Sequence, residues 1–159
     1  MEITVVQKRF LLAGYEMVMD FGKGFDDEMT WIRNELCRCI DRIGSKFEPQ
    51  RLVGFWQPFQ ACMTTPDPAN QGKAKYFFGV EVANLDEIPS DCVVKAVPMS
   101  HYAVCREEHR GTAPKLEMYT LSGYEVNYEI AGDFEIFDDF DHVEVSDPCD
   151  VLVPIKPKA

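Results

Sequence analysis

One acidic residue stands inside an apolar run near the end of the chain, in the sequence GDFEIFDDF at positions 132–140. Glu135 lies between Phe134 and Ile136, and Phe137 follows directly. Alternate side chains of a β-strand share a face, so Glu135 and Phe137 would point to one side, and Phe134 and Ile136 to the other. If the Phe134 and Ile136 side packs on the core, the carboxylate stands on a partly enclosed face.

A carboxylate in such a place could bind a cation. Removing it from water is costly unless it gains a partner, and burial should raise its pKa. A cationic ligand is one such partner, and aromatic rings around it would add about 1–2 kcal/mol of cation–π attraction. The alternative is an edge strand on which Glu135 simply faces water.

Aromatic side chains elsewhere could complete such a pocket, because they offer wide apolar surfaces and, in Trp and Tyr, one polar group. The candidate ligand contacts besides Glu135 are Trp56, Tyr15, Tyr102, Phe137, Phe77 and Tyr128. Glu81, in the apolar sequence GVEV, is a second acid of this kind. An exposed sheet face is the simpler explanation for Glu81.

Charge and composition limit the kinds of molecule that this protein could bind. The chain has 159 residues, of which 46% are hydrophobic, and a net charge of -11. This charge disfavours direct nucleic-acid binding and mildly favours cationic ligands. No apolar run reaches the length of a membrane span, and the N-terminus does not resemble a secretory signal, so we expect a cytoplasmic protein without membrane contact. The six cysteines show no CxxC motif, and we expect neither a metal nor a cofactor.

The elements that would position these residues can be read from the apolar pattern. Asp26 or Asp27 is a suitable N-cap for a helix whose apolar residues recur every three or four positions and whose stop is Gly44. A second, shorter helix is predicted over 112–121, because Pro114 limits its start. A turn-rich stretch at 64–75 should form the long tip of a hairpin. Strands are predicted over 3–19, 51–59, 76–83, 92–107 and 149–156, with one interrupted strand or two between 124 and 139.

This order predicts a single α+β domain with a largely antiparallel sheet. It predicts two strand–helix–strand–strand modules, at about 1–84 and about 92–159.

The central sequence YFFGVEVANLDEIPSDCVVKAVPMSHYAVCREEHRG resembles the signature of the GyrI-like, or bacterial effector-binding, family. The matching elements are a Gly-Val-x-Val strand end at 79–82, Pro89, a Lys-x-Val-Pro strand at 95–98 and a Tyr-Ala-Val segment at 102–104. The C-terminal DFEIFDDF and DVLVPIK resemble the family's Asp-Phe-Glu-x-aromatic element and its closing strand. The resemblance therefore covers essentially the whole chain.

The resemblance implies that the two modules surround a central ligand cleft. This small-molecule pocket often binds lipophilic cations, and its acid would be Glu135. Family members include sensing domains of multidrug-responsive transcription activators, gyrase-modulating proteins and freestanding proteins, some of them carried on mobile gene cassettes. The chain departs from the family at Phe137, where many members carry Tyr. It is also short between REEHRG and SGYEV, which would leave one side of the pocket open or covered by a neighbouring chain.

Three functions follow from these observations. The first is a binding module for lipophilic, cationic molecules that acts as a sensor or sequestering protein, with a link to transcription regulation through a partner. The expected protein contacts are a partner protein or a homodimer. The second is a hydrolase of cyclopropane-bearing toxins, as in some family members, with Glu135 as acid or base and Tyr15 or Tyr102 assisting. The third is a protein that binds gyrase or another macromolecule through its acidic surface.

Overall fold

The structure is a computed structural model that describes residues 2–20, 26–57, 73–107, 115–143 and 147–159. Its strands are β1 Thr4–Asp20, β2 Leu52–Trp56, β3 Lys73–Glu81, β4 Val93–Glu107, β5 Tyr124–Val126, β6 Phe134–Phe137 and β7 Cys149–Pro157. Its helices are α1 Asp26–Cys39 and α2 Lys115–Tyr119, and short 3₁₀ turns occur at Ile40–Arg42 and Phe140–His142. None of the helices in these ranges is long and apolar enough to cross a membrane.

The predicted elements agree closely with this arrangement. The helix begins at Asp26, and its apolar stripe is buried at Ile32, Leu36, Ile40 and Ile43. The region after 124 forms two separate strands, β5 and β6. Most of the predicted hairpin tip and the start of the predicted second helix lie outside the described residues.

The described strands form one mostly antiparallel sheet, which confirms the predicted α+β class. The strand order is β4-β1-β3-β2-β6-β7-β5, and β4 also pairs with β7. This extra pairing closes six of the strands into a ring, with β5 continuing beside β7. The closure was not predicted, because it joins residues far apart in sequence, such as Tyr102 and Pro154. The division into two modules stays a prediction.

The inside of the ring is identified by ring contacts between strands that are not neighbours. Phe134 of β6 stacks on Phe10 of β1, with ring centroids 4.7 Å apart and an interplanar angle of 11°. It also stacks on Phe55 of the adjacent β2 at 4.7 Å. Side chains of two opposite strands can touch only across the ring. The aromatic cluster around Phe134 is therefore the barrel interior.

The outer face of the sheet carries the helices. Ile32 and Leu36 of α1 and Met118 of α2 are fully buried against this face. They belong to a second cluster that includes Phe78 and Phe137 of the sheet. The fold thus has two apolar regions, an aromatic interior and a helix-covered outer face, separated by one layer of backbone.

Candidate functional site

Strand β6 places Glu135 on the outer, helix-bearing face. Phe134 and Ile136 belong to the interior cluster, whereas Phe137 is buried in the outer one. Because side chains alternate, Glu135 shares the outer face with Phe137. Its neighbours across the sheet are Gly54 of β2 and Val151 of β7. The carboxylate is partly buried, in a row of small and apolar residues.

The glycine beside Glu135 makes room for a tyrosine. Tyr76 of β3 is fully buried on the outer face, and its hydroxyl lies over Gly54. A Cβ atom at position 54 would lie only 1.9 Å from that hydroxyl oxygen. A side chain at Gly54 would therefore displace Tyr76. Because Gly54 pairs with Glu135, this tyrosine forms part of the wall beside the carboxylate.

Trp56 extends this aromatic wall. It pairs with Tyr76 across β2 and β3, and the two rings are 4.8 Å apart at an angle of 53°. Trp56 is partly exposed and follows Gly54 by two residues, so it lies on the same face. It is a diagonal neighbour of Glu135 across β2 and β6, a spacing of about 7–8 Å that an indole can bridge.

A second carboxylate lies two residues before Glu135. Tyr119 of α2 donates a hydrogen bond to Asp133 Oδ2 at 2.6 Å, and Tyr128 donates one to Oδ1 at 2.9 Å. Burial, with the hydrogen bond to Asp133, raises the pKa of Tyr119 to about 12. Burial and the negative Asp133 also raise the pKa of Tyr128. Both phenols are therefore neutral donors at ordinary pH, and they fix α2 and the β5–β6 connection beside the site.

A cysteine lies on the other side of the acid. Cys149, at the start of β7, is buried, and its Sγ lies 3.9 Å from Glu135 Oε2. Phe137 is buried on the same face, with its ring 6.1 Å from that of Phe78. Glu135 is thus bordered by soft, apolar or aromatic groups on several sides.

Tyr15 lies in the same cross-strand row as Glu135, but at some distance. The register runs from Tyr15 through Phe78 and Gly54 to Glu135, which is three strand spacings or about 14 Å along the sheet. The Tyr15 hydroxyl donates to Cys39 Sγ at 2.9 Å and lies 3.3 Å from Asp91 Oδ2. Burial and the contact with Cys39 raise its pKa.

Tyr102 and Phe77 point to the opposite side of the sheet. Both are completely buried in the barrel interior, where Tyr102 packs edge-on against Phe134 at 5.5 Å. Burial raises the pKa of Tyr102 to about 12. A layer of backbone separates these two side chains from the face that carries Glu135. The hydrolase prediction paired Glu135 with Tyr15 or Tyr102. In the described residues, neither tyrosine lies in contact with Glu135.

The structure therefore brings together Glu135, Trp56, Phe137 and, through Asp133, Tyr128. Sequence reasoning did not select Tyr76, Tyr119, Asp133 or Cys149. Tyr76 and Phe77 are adjacent in a strand, so one of them must face outward and the other inward. The sequence does not determine which of the two faces outward. In the described ranges, no group of three or more His, Cys, Asp and Glu side chains is arranged to hold a metal ion.

Comparison with known proteins supports the fold. No protein-family profile matches the chain. No curated protein sequence matches it either. Solved structures do match over nearly the whole chain. SAV2435 bound to tetraphenylphosphonium has a TM-score of 0.62 at 19% identity, covering 98% of this chain and 94% of SAV2435. The EcmrR C-terminal domain has a TM-score of 0.65 at 7% identity, covering 99% and 98%.

A third similar structure is the integron cassette protein VCH_CASS2 from the mobile metagenome of Vibrio cholerae. Its TM-score is 0.55 at 9% identity, with coverage of 97% of this chain and 95% of that one. Together these matches show that the chain has the fold of the GyrI-like effector-binding domains, as the sequence resemblance predicted.

Proposed function

We propose that this protein binds lipophilic organic cations on the outer face of the sheet, with Glu135 as the counter-charge. The observation that carries the proposal is the position of this partly buried carboxylate beside Trp56, Tyr76 and Phe137. Binding of this kind suits a sensor or a sequestering protein. A sensor would pass the signal to a partner.

The surroundings of Glu135 favour a large, weakly hydrated cation over a small one. A metal ion needs several oxygen or nitrogen ligands at fixed distances, whereas the described neighbours of Glu135 include Gly54, Val151, a thiol and aromatic rings. A lipophilic cation loses little hydration energy on entering such a site. It gains apolar contact, cation–π attraction and one charge pair.

The structural similarity to SAV2435 supports the same class of ligand. That protein was solved with tetraphenylphosphonium, a cation that carries four aromatic rings. The net charge of -11 adds a long-range field that attracts cations. Tetraphenylphosphonium is therefore the natural first probe for this chain.

The test is a calorimetric titration of the whole chain with tetraphenylphosphonium. Glu135→Gln keeps the size of the side chain and removes its charge, and we expect the affinity to fall at least about 10-fold, or ~1.4 kcal/mol. Glu2→Gln, an exposed acid at the N-terminus, is the matched control for net charge and should bind like the wild type. Equal affinity of wild type and Glu135→Gln would reject the proposed role of the carboxylate.

A second probe separates charge from shape. Tetraphenylborate has the same four rings but carries a negative charge. Wild type should bind it much more weakly than tetraphenylphosphonium, and Glu135→Gln should reduce that difference. If both ions bind wild type equally, the site recognises aromatic shape alone and the charge-based proposal is wrong.

A further inference from the structure

A hollow of about 480 Å³ opens at one end of the barrel, away from Glu135. Its walls are Arg9–Leu11 of β1, Ala96–Pro98 of β4, Phe47, and the pair Val82 and Ala83 after β3. We call it the mouth hollow. Its wall on β1 lies four to six residues from Tyr15, or about 13–20 Å along the strand from the row that contains Glu135.

The mouth hollow exists because β1 and β3 separate here. Their paired register ends at Leu12 and Glu81. Beyond it, the Val82 N–H donates a backbone hydrogen bond to Leu11 O at 2.9 Å. The next residue, Ala83, donates instead to Ser45 O at 2.8 Å. On its other side, β1 slips in register against β4 between Lys8 and Phe10. The strands therefore leave a gap that side chains fill only in part.

The walls of the hollow are apolar and its rim is basic. Phe47 remains 41% exposed, although it is a large aromatic residue. Lys8 Nζ lies 4.9 Å from the centre of the Phe10 ring, and Arg51 lies 6.0 Å from that of Phe47. Arg9 lines the hollow itself, and within the described ranges no carboxylate pairs with it.

The charges at this rim oppose the charge of the whole chain. Glu81 is almost completely buried and pairs with Lys8 at 3.1 Å and with Arg51 at 3.3 Å. Lys8 and Arg51 thus share the carboxylate of Glu81, and Arg9 adds a further positive charge, in a chain whose net charge is -11. The sequence neighbours of Phe47 are the partly buried Lys46 and the exposed Glu48, whose charges are opposite. The earlier explanation of Glu81 by an exposed sheet face is wrong, because its two cations make burial possible.

We propose that the mouth hollow binds a small amphiphilic anion, with its apolar body against Phe47 and Leu11 and its acidic group at Arg9. The volume lies within the range of small-molecule sites. A guanidinium binds a carboxylate or sulfonate through two parallel hydrogen bonds, which Lys8 and Arg51 cannot offer while they hold Glu81. This site is separate from the cation site, and the proposal does not depend on the function proposed above.

The test is a fluorescence titration of the whole chain with anilinonaphthalene sulfonate, an anionic aromatic probe. Arg9→Gln should weaken binding about 5- to 10-fold, and Arg9→Lys should recover part of that loss. Arg38→Gln removes the same charge from an exposed position on α1 and should bind like the wild type. Unchanged affinity of Arg9→Gln would overturn the proposal.

Two further measurements locate the probe. Ala83→Trp places a large ring in the hollow from an exposed position and should abolish binding while the circular dichroism spectrum is kept. Saturating tetraphenylphosphonium should leave the bound probe in place. Retained binding by Ala83→Trp, or displacement by the cation, would place the probe elsewhere and contradict the assignment.

A matched pair of amphiphiles then tests the charge. Decanoate should displace the probe, whereas decyltrimethylammonium, which has a positive head and a tail only one carbon longer, should not. Equal displacement by both would show that the tail alone drives binding, and the role given to Arg9 would be wrong.

Discussion

Glu135 and Glu81 are both acids in apolar strands, and the side chains described beside them differ in chemistry. Glu81 is buried at the mouth of the barrel, where Lys8 and Arg51 neutralise it. Glu135 lies on the outer face, among a thiol, a glycine and aromatic rings. The comparison shows that a carboxylate in an apolar strand is not by itself a functional signal. The two acids differ in the side chains that the neighbouring strands place beside them.

The same contrast separates the two faces of the sheet. The interior is a close-packed aromatic cluster in which Tyr102 and Phe134 are fully buried. The outer face near Glu135 includes partly exposed aromatic groups such as Trp56. We therefore expect substitutions in the interior and at Glu81 to change stability, and substitutions around Glu135 to change binding.

The largest expected effect is the loss of the central interior ring. Phe134→Ala removes a side chain that is stacked between Phe10 and Phe55, both at 4.7 Å. Truncating a buried phenylalanine leaves a cavity and costs about 3–5 kcal/mol of the free energy of unfolding. Urea unfolding followed by circular dichroism would measure it. A loss below about 1 kcal/mol would contradict the closed, packed interior.

A smaller effect should follow from breaking the buried ion pair. Lys8→Met leaves Glu81 buried with Arg51 as its remaining partner, and we expect a loss of about 2 kcal/mol in the free energy of unfolding. This is below the usual 3–5 kcal/mol for a fully buried pair, because Lys8 is partly exposed and one cation remains. Urea unfolding is again the measurement, with the exposed Lys158→Met as the control.

The contrast with Glu135 sharpens this experiment. Glu135→Gln should change the free energy of unfolding by less than about 0.5 kcal/mol, because functional groups seldom stabilise the fold. If Glu135→Gln destabilises the chain as much as Lys8→Met does, the two acids share a structural role and the comparison fails.

An effect similar in size to that of Lys8→Met should come from a pH dependence of the interior. The pKa of Tyr102 is about 12 in the folded chain, against about 10 for an exposed tyrosine. Tyr102 loses its proton first in the unfolded state. The stabilisation that the neutral Tyr102 gives to the folded chain is therefore fully present below pH ~10 and is lost as the pH rises to about 12. Tyr102→Phe should reduce the fall in unfolding free energy over that window by about 2 kcal/mol. Urea unfolding at intervals from pH 9 to pH 12 would measure it, and identical slopes for both proteins would contradict it.

Much of the local structure could be predicted, because it depends on near neighbours in the chain. The apolar stripe of α1 predicted the helix and its buried side through Ile32 and Leu36. Period-two alternation placed Glu135 and Phe137 on one face and Phe134 and Ile136 on the other, and the two apolar clusters follow that division. The family resemblance supplied the fold, which the structural matches confirm.

The surroundings of each acid were less predictable. Lys8 lies 73 residues from Glu81 in the chain, and Tyr119 reaches Asp133 from a separate helix. Such contacts depend on strand register and on helix docking. Tyr76 and Phe77 are adjacent in sequence, and only the direction in which the sheet closes decides which of them faces the helices.

The amino-acid order alone determined which residues form strands and α1, and which side chains along β6 share a face, because these are short-range consequences of backbone geometry. The tertiary structure decided which of those faces became the inside, because the pairing of β4 with β7 joins segments distant in sequence. The pairing of β3 with β1 and β2 gave Glu81 its two cations at the barrel mouth, and the pairing of β6 with β2 placed Glu135 near aromatic groups on the outer face.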